Sequence, residues 1–340
     1  MLRSHVEILK LHSRVLAEEV RQHPDWLDPL DLERDYGWDD FHRMLEELPF
    51  TNLAVAAFRR RCLMRILLRD VMGHASLSQT TAEVSALADA ILGWTYEKLR
   101  ADAESAYGRP MLADGTICGC SILAIGKLGG NELNYTSDID LMYIYGGAGE
   151  TTGPTVLSNK EFFEKLAQRQ TQFLGAYTAE GFCYRVDLRL RPEGSLGEIA
   201  TSLEAACEYY RVRARDWELQ MMIKARVAAG EPGPGRALIE FVEPLTYRTT
   251  TDFSAIEAVS ATRVRWNEKL ANRKLQGGAI DVKLTRGGIR DIEFLVQCLQ
   301  RLHGGRERWV RTTGTMIGLA RLHDKGLISG SEYEALIDAY

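Results

Sequence analysis

The chain has 340 residues, 45% of them hydrophobic and 26% charged, which excludes a disordered, collagenous or disulfide-framed chain and predicts about two domains. Its 42 basic and 47 acidic residues give a net charge of -5, so no global positive field suggests a nucleic-acid coat. Six cysteines without a Cys-x-x-Cys pair point to free thiols in a reducing compartment rather than zinc or a redox pair.

The first residues, Met1-Leu2-Arg3-Ser4-His5-Val6-Glu7, lack the apolar core of a signal peptide. No apolar run approaches the ~18 residues that cross a bilayer. The expectation is a cytoplasmic protein with no membrane and no nucleic-acid partner. Residues 1–110 read as a helical region. Thr51 is placed as the N-cap of a helix over 51–73, with Leu53, Ala56, Ala57, Leu63, Leu67 and Leu68 near one face. Arg59-Arg60-Arg61 on it reads as a solvated face. A capping box, Thr80 with Glu83, opens the next helix, whose buried stripe runs Val84, Leu87, Ala88, Ile91, Leu92, Thr95 and Leu99.

The pattern changes near residue 110, where Arg109-Pro110 and Asp114-Gly115 punctuate the chain. Residues 111–200 read as a sheet core. Ser121 to Ile125 is a short apolar strand, Gly126 to Gly130 a glycine-rich turn, and Asp138 to Tyr145 a second strand. A helix around 159–178 precedes a third strand, Phe182 to Leu190. There Phe182, Tyr184, Val186, Leu188 and Leu190 alternate with Cys183, Arg185, Asp187, Arg189 and Arg191.

Residues 201–340 are predicted to be mainly helical again. Thr201 with Glu204 reads as a capping box, and Tyr209-Tyr210 with Trp217 and Met221 as core packing. Glu231-Pro-Gly-Pro-Gly235 is the linker candidate. Ser254 with Glu257 opens a helix to about 273, and a strand over 280–284 leads to Gly287-Gly288 and a helix from Ile289, with Asp291 and Glu293 favoured in its first turn by the helix dipole. Residues 329–340 read as a helix still in progress, so the expectation is a unit cut short at its C-terminal end. No histidines fall at a metal or triad spacing.

The chemistry gathers at the second strand. Asp138 and Asp140 are two apart, so both side chains leave one face of it. A carboxylate pair of this kind can hold Mg²⁺ beside phosphate oxygens. Upstream, Gly129-Gly130 permits backbone N–H groups to approach a phosphate, with Lys127 nearby. Asp187 stands on the polar face of the later strand with Arg185, Arg189 and Arg191, as a third ligand among phosphate-binding arginines.

A glycine pair, then Asp-x-Asp, then a third acid on a separate strand resembles the nucleotidyltransferase superfamily of DNA polymerase β. The run Gly126-Lys-Leu-Gly-Gly-Asn-Glu-Leu-Asn-Tyr-Thr-Ser-Asp-Ile-Asp-Leu141 resembles the signature of the bacterial glutamine synthetase adenylyltransferases, also called glutamate–ammonia-ligase adenylyltransferases. Tyr184-Arg-Val-Asp-Leu-Arg-Leu-Arg-Pro192 and Gly287-Gly-Ile-Arg-Asp-Ile-Glu-Phe294 match later blocks of that family, and His23-Pro-Asp-Trp-Leu27 and Phe58-Arg-Arg-Arg61 extend the likeness toward the start.

The resemblance implies an α+β fold, mostly helical, with a small mixed sheet of the polymerase β type. Family members carry two such units, one transferring AMP from ATP to a tyrosine of glutamine synthetase, the other removing it by phosphorolysis with release of ADP. Arg215-Asp-Trp-Glu218, Lys224-Ala-Arg226 and Asp252-Phe-Ser254 look more like the AMP-removing unit. The resemblance further implies Mg²⁺ on Asp138, Asp140 and Asp187, and nucleotide or phosphate contacts from Lys127, Gly129, Gly130, Ser137, Arg185, Arg189 and Arg191. The implied partners are glutamine synthetase as protein substrate, the PII signalling protein, and ATP, ADP, AMP and phosphate.

Overall fold

In a computed structural model, residues 2–27, 30–247, 281–283, 285 and 287–340 are described. The Asp252-Phe-Ser254 string, the helix from Ser254 and the strand over 280–284 lie wholly or partly outside them. The chain divides into two compact units, residues 1–202 with 227–235, and residues 203–226 with 236–340.

The first unit begins with α1 (Leu2–His12), α2 (Arg14–Gln22) and α3 (Trp38–Glu46). Then come α4 (Asn52–Val71), capped by Thr51 as expected, and the long α5 (Leu77–Tyr107). α5 starts three residues before the expected Thr80, because Ser76 and Gln79 form its capping box. Thr80 and Glu83 are buried instead. Glu83 accepts from Arg65 and Arg69 of α4 and from the backbone N–H of Tyr36 at 3.0 Å. The arginine triplet is not a solvated face either. Arg59 lies 4.4 Å from the Tyr184 ring centre and donates to the Tyr135 carbonyl at 3.0 Å, and Arg60 is paired with Glu19 and Glu180.

The sheet comprises β1 (Cys120–Ile125), β2 (Ile139–Tyr145), β3 (Val186–Asp187), β4 (Ala200–Ser202) and β5 (Arg226–Gly230), in the order β3-β2-β1-β5 with β4 also on β2. β1 and β2 run antiparallel and both are almost wholly buried, which is why they read as apolar runs rather than alternating ones. β3 and β4 each pair parallel with β2 at different points along it. The turn helix α6 (Gly126–Gly129) joins β1 toward β2, and α7 (Asn159–Gly175), with its Ser158–Glu161 capping box, covers the sheet. One continuous core takes in Leu45, Phe58, Leu87 and Trp94 from the helices and Ile122, Leu141, Tyr143 and Phe162 from the sheet layer. The expected boundary at 110/111 therefore does not divide two cores.

Three sequence expectations are corrected here. The third strand is only two residues long; Phe182 is exposed, while Cys183 and Tyr184 are both buried, so the alternation fails at its start. Thr201 lies inside β4 and α8 (Leu203–Val212) starts directly after it, so Thr201 caps nothing. The Glu231–Gly235 run ends where the chain passes from the first unit to the second, but it is folded rather than slack. Pro232 opens α10 (Pro232–Thr246), using the position where a missing N–H costs nothing. Glu231 accepts from the Cys120 N–H at 2.8 Å and from the Tyr96 hydroxyl at 2.9 Å, and Gly235 N donates to Ser121 Oγ at 2.7 Å.

The second unit has α8, α9 (Asp216–Met221), α10 beyond Gly235, α11 (Ile289–His303), α12 (Thr315–Asp324) and α13 (Gly330–Ala339). Its core includes Ile292, Val296, Val310, Leu319 and Leu322. Tyr209 and Tyr210 are buried as expected, whereas Trp217 is at the surface. Asp291, in the first turn, accepts from the N–H of Gly287 just ahead of the helix at 2.8 Å. Glu293 does more than favour a dipole: the buried Lys224 donates to it at 3.3 Å and to Thr315 at 3.0 Å. Among the described residues no helix is long and apolar enough to cross a membrane.

Candidate active site

The register of the sheet builds the site. Asp140 of β2 lies opposite Ile125, the last residue of β1, on one side and opposite Asp187 of β3 on the other. Neighbouring strands are about 4.8 Å apart, so Asp140 and Asp187 leave the same face side by side. Asp138 precedes β2 by one residue, and the Ile139 N–H donates to the Arg185 carbonyl at 3.0 Å, which ties the start of β2 to the segment entering β3.

Directly after Ile125 the chain must turn beneath Asp140. Gly126 does this with a φ of +60°, and a Cβ there would fall 2.5 Å from Asp140 Oδ2. A left-handed backbone and a carboxylate in the way of any side chain both demand glycine. The glycine pair expected to supply that freedom plays another part. Gly129 and Gly130 are buried, Gly130 has an ordinary φ of -75°, and its N–H donates to the Gly126 carbonyl at 3.1 Å. The next positive φ, +56°, belongs to Asn131. Lys127 lies in this turn, half-buried, and Ser137 closes a turn by donating its N–H to the Asn134 carbonyl at 3.2 Å.

Two arginines serve as counter-ions. Arg185 donates through Nε to Asp138, and Arg189 grips Asp187 with Nε at 2.9 and 3.0 Å from its two oxygens while also donating its backbone N–H at 2.9 Å. The Arg189 side-chain hydrogen bond holds the Asp187 carboxyl below its usual range, against a smaller opposing effect of burial. Arg189 is raised in return, and it also feels the charges of Asp140 and Asp138. Arg191 differs. It is buried, and its guanidinium donates to the carbonyls of Leu188, Ser195, Gly197 and Glu198, so it folds the 188–198 loop.

The loop between α6 and β2 is anchored on the helices. Leu133 N donates to Ser85 Oγ at 3.1 Å, and the Tyr135 hydroxyl donates to Asp70 at 2.9 Å. These partners, like the bare Cα of Gly126, were not singled out from the sequence; a glycine immediately following an apolar strand was the available signal. Asp138, Asp140 and Asp187 do not bring one ligand oxygen each within 4.8 Å of the others, and Asp138 and Asp187 are each turned onto an arginine. Among the described residues, the His and carboxylate triads whose ligand atoms all fall within 4.8 Å are Glu19, His23 and Glu180, and His42, Glu46 and Glu97. In each, a histidine and a glutamate stand four residues apart, and only the third member, Glu180 or Glu97, comes from far along the chain.

The donor set suits a hard divalent cation. Mg²⁺ prefers oxygen ligands and one or two carboxylates plus phosphate, and the Arg189 hydrogen bond favours the anionic form of Asp187. A depressed carboxyl stabilises the fold above its unfolded titration, and that contribution is lost as pH falls through the lowered native value. Arg189→Ala is therefore expected to move the Asp187 titration upward toward an ordinary carboxylate, read from its side-chain carboxyl carbon shift by NMR. An unmoved titration would assign the effect to the backbone N–H alone.

Residues 6–240 match the glutamate-ammonia ligase adenylyltransferase family, and residues 261–340 match the GlnD PII-uridylyltransferase family. The chain is similar to a bifunctional glutamine synthetase adenylyltransferase/adenylyl-removing enzyme of Hahella chejuensis, 41% identical over 83% of this chain and 29% of the relative. A protein of the same name from Shewanella woodyi is 34% identical over 96% of this chain and 35% of the relative. A third, from Stenotrophomonas maltophilia, is 38% identical over 81% and 29%. The chain thus spans about a third of the length of these curated relatives.

Proposed function

Because the chain belongs to the glutamate-ammonia ligase adenylyltransferase family, we propose that its sheet site transfers nucleotidyl groups on glutamine synthetase, in the direction that removes AMP. Orthophosphate attacks the α-phosphorus of AMP carried on a tyrosine, the bond from phosphorus to the tyrosine oxygen breaks, and ADP leaves while the phenolate takes up a proton. The observation that carries this reading is the row Ile125–Asp140–Asp187, with Gly126 bare beneath Asp140.

Asp138, Asp140 and Asp187 would hold Mg²⁺, which supplies neutralisation of charge on the phosphoryl oxygens. Arg185 and Arg189, both largely exposed, release their carboxylates as substrate enters and turn onto phosphate, a planar and bidentate match. That exchange of partners brings two anions together. Lys127, in the turn that follows β1, and Ser137, next to Asp138, are proposed as further phosphate contacts. An anionic nucleophile needs no strong base, in keeping with a site of carboxylates and arginines; the reverse transfer to a phenol of pKa near ~10 would require one aspartate to take its proton. The PII signalling protein is proposed as the regulatory partner, on the likeness of residues 261–340 to the PII-uridylyltransferase family, and the cytoplasm as the setting.

Incubating the chain with adenylylated glutamine synthetase, Mg²⁺ and phosphate is expected to give ADP and unmodified tyrosine. Pyrophosphate release from ATP with unmodified glutamine synthetase, and no ADP in the first assay, would reassign the site to adenylylation. Silence in both assays would overturn the enzymatic reading.

A further inference from the structure

The N-terminal helices hold a cluster that nucleotidyl transfer does not use. Glu19 lies in the last turn of α2 and His23, four residues on, is its C-cap, with its N–H on the Glu19 carbonyl. Glu180 meets them from a tight turn in which Thr178 N donates to the Gly181 carbonyl at 2.8 Å and Gly181 N to the Thr178 carbonyl at 2.9 Å. One ligand atom from each of Glu19, His23 and Glu180 lies within 4.8 Å of the other two.

Arg60 uses only part of this cluster. Its Nη1 donates to Glu19 Oε1 at 2.5 Å and to Glu180 Oε2 at 3.3 Å. The remaining Glu180 oxygen, Oε1, is 3.2 Å from His23 Nε2. The remaining Glu19 oxygen, Oε2, is sealed from solvent with no hydrogen-bond partner, on a residue only 9% exposed. An orphaned buried carboxylate oxygen is costly and is normally satisfied by a donor or an ion. The surroundings are preorganised. The His23 ring stacks on Trp26 with centroids 4.4 Å apart, and Gly181 (φ +73°) leaves just the room that Arg60 fills, since a Cβ there would lie 2.8 Å from Arg60 Nη2.

The geometry points to a divalent transition-metal site on Glu19, His23 and Glu180, with Zn²⁺ the best-matched ion. One imidazole and two carboxylates are a donor set that borderline ions accept, whereas Mg²⁺ favours oxygen alone. Arg60 offsets one carboxylate charge, and with neutral His23 the cluster keeps a net charge of -1 to attract a dication. Coordination takes the Nε2 lone pair, so His23 keeps its proton on Nδ1. An ion here clamps α2 to the turn that feeds β3.

Co²⁺ is the probe, because its d–d absorption reports a low-coordinate mixed nitrogen and oxygen site without reference to activity. The whole chain is expected to develop that band with one Co²⁺ and to lose it when Zn²⁺ is added. His23→Ala and Glu180→Gln should abolish the band and weaken Zn²⁺ at least tenfold, while Asp140→Asn and His42→Ala leave both unchanged. Zn²⁺ should raise the melting temperature of the wild-type chain and not that of His23→Ala. Glu180→Gln keeps the shape and one acceptor for Arg60, so it guards against loss of fold in the histidine variant; far-UV circular dichroism checks both. No band in the wild-type chain, or equal Zn²⁺ affinity in all of these proteins, overturns the site and leaves an ion-pair network only.

Discussion

Asp140→Asn is expected to lower the rate of AMP removal by about 10²- to 10³-fold, with the melting temperature nearly unchanged. Asparagine is close in shape, but it removes the negative charge at the centre of the row that Asp187 and Gly126 frame. Loss of one preorganised charge-stabilising group in a phosphoryl or acyl site costs about 3–4 kcal/mol in the transition state. Asp140 has no role in the hydrophobic core, so stability should move little. Gly126→Ala reaches the same carboxylate from below. It adds a methyl group 2.5 Å from Asp140 Oδ2 and forces a left-handed φ on alanine, so activity should fall together with stability, the backbone share being about 1–2 kcal/mol. Wild-type rates in Asp140→Asn would show that the chemistry lies elsewhere.

The largest effect on stability should come from Glu83→Ala. Glu83 is 1% exposed and holds Arg65 and Arg69, which are 5% and 2% exposed. Those arginines also bind the chain between α2 and α3: Arg65 Nε donates to the Asp31 carbonyl at 2.6 Å and Arg69 Nε to the Leu32 carbonyl at 3.1 Å. Removing the acid leaves buried Arg65 without a carboxylate and Arg69 with Asp35 alone, and breaking a buried pair in this way typically costs about 3–5 kcal/mol. At roughly 2–4 °C per kcal/mol for a domain of this size, thermal unfolding should begin about 10 °C earlier. Glu7→Gln, which breaks an exposed pair with Lys10, serves as the control and should stay within about 0.5 kcal/mol. Equal melting of the two variants would mean that the network adds nothing beyond packing.

Much of the site was legible because its signals are local. Buried β1 and β2 read as apolar runs, the aspartates follow at fixed spacing, and Thr51 caps its helix by bonding three residues ahead. What failed depended on distant partners. The third strand stops after Asp187 because Arg191 gathers four carbonyls into a loop and Glu193 turns left-handed. Thr80 and Glu83 have the letters of a cap, yet Glu83 is taken by α4. Proline and glycine at 232–235 suggested slack, whereas Tyr96, Cys120 and Ser121, more than a hundred residues away, pin that segment. No spacing rule joins His23 to a glutamate 157 positions later.

The late arrival of β5 carries a consequence for how this chain is made and cut. β1 emerges at residue 120, but the strand that covers its outer side is not available until residue 230. During synthesis on the ribosome, or in any fragment ending near residue 202, β1 would present a bare, mostly apolar border of unpaired amides and carbonyls, an invitation to stick to other chains. Fragments meant for expression should therefore run through Gly235, and chaperone dependence should be greatest while the intervening segment is still being threaded out.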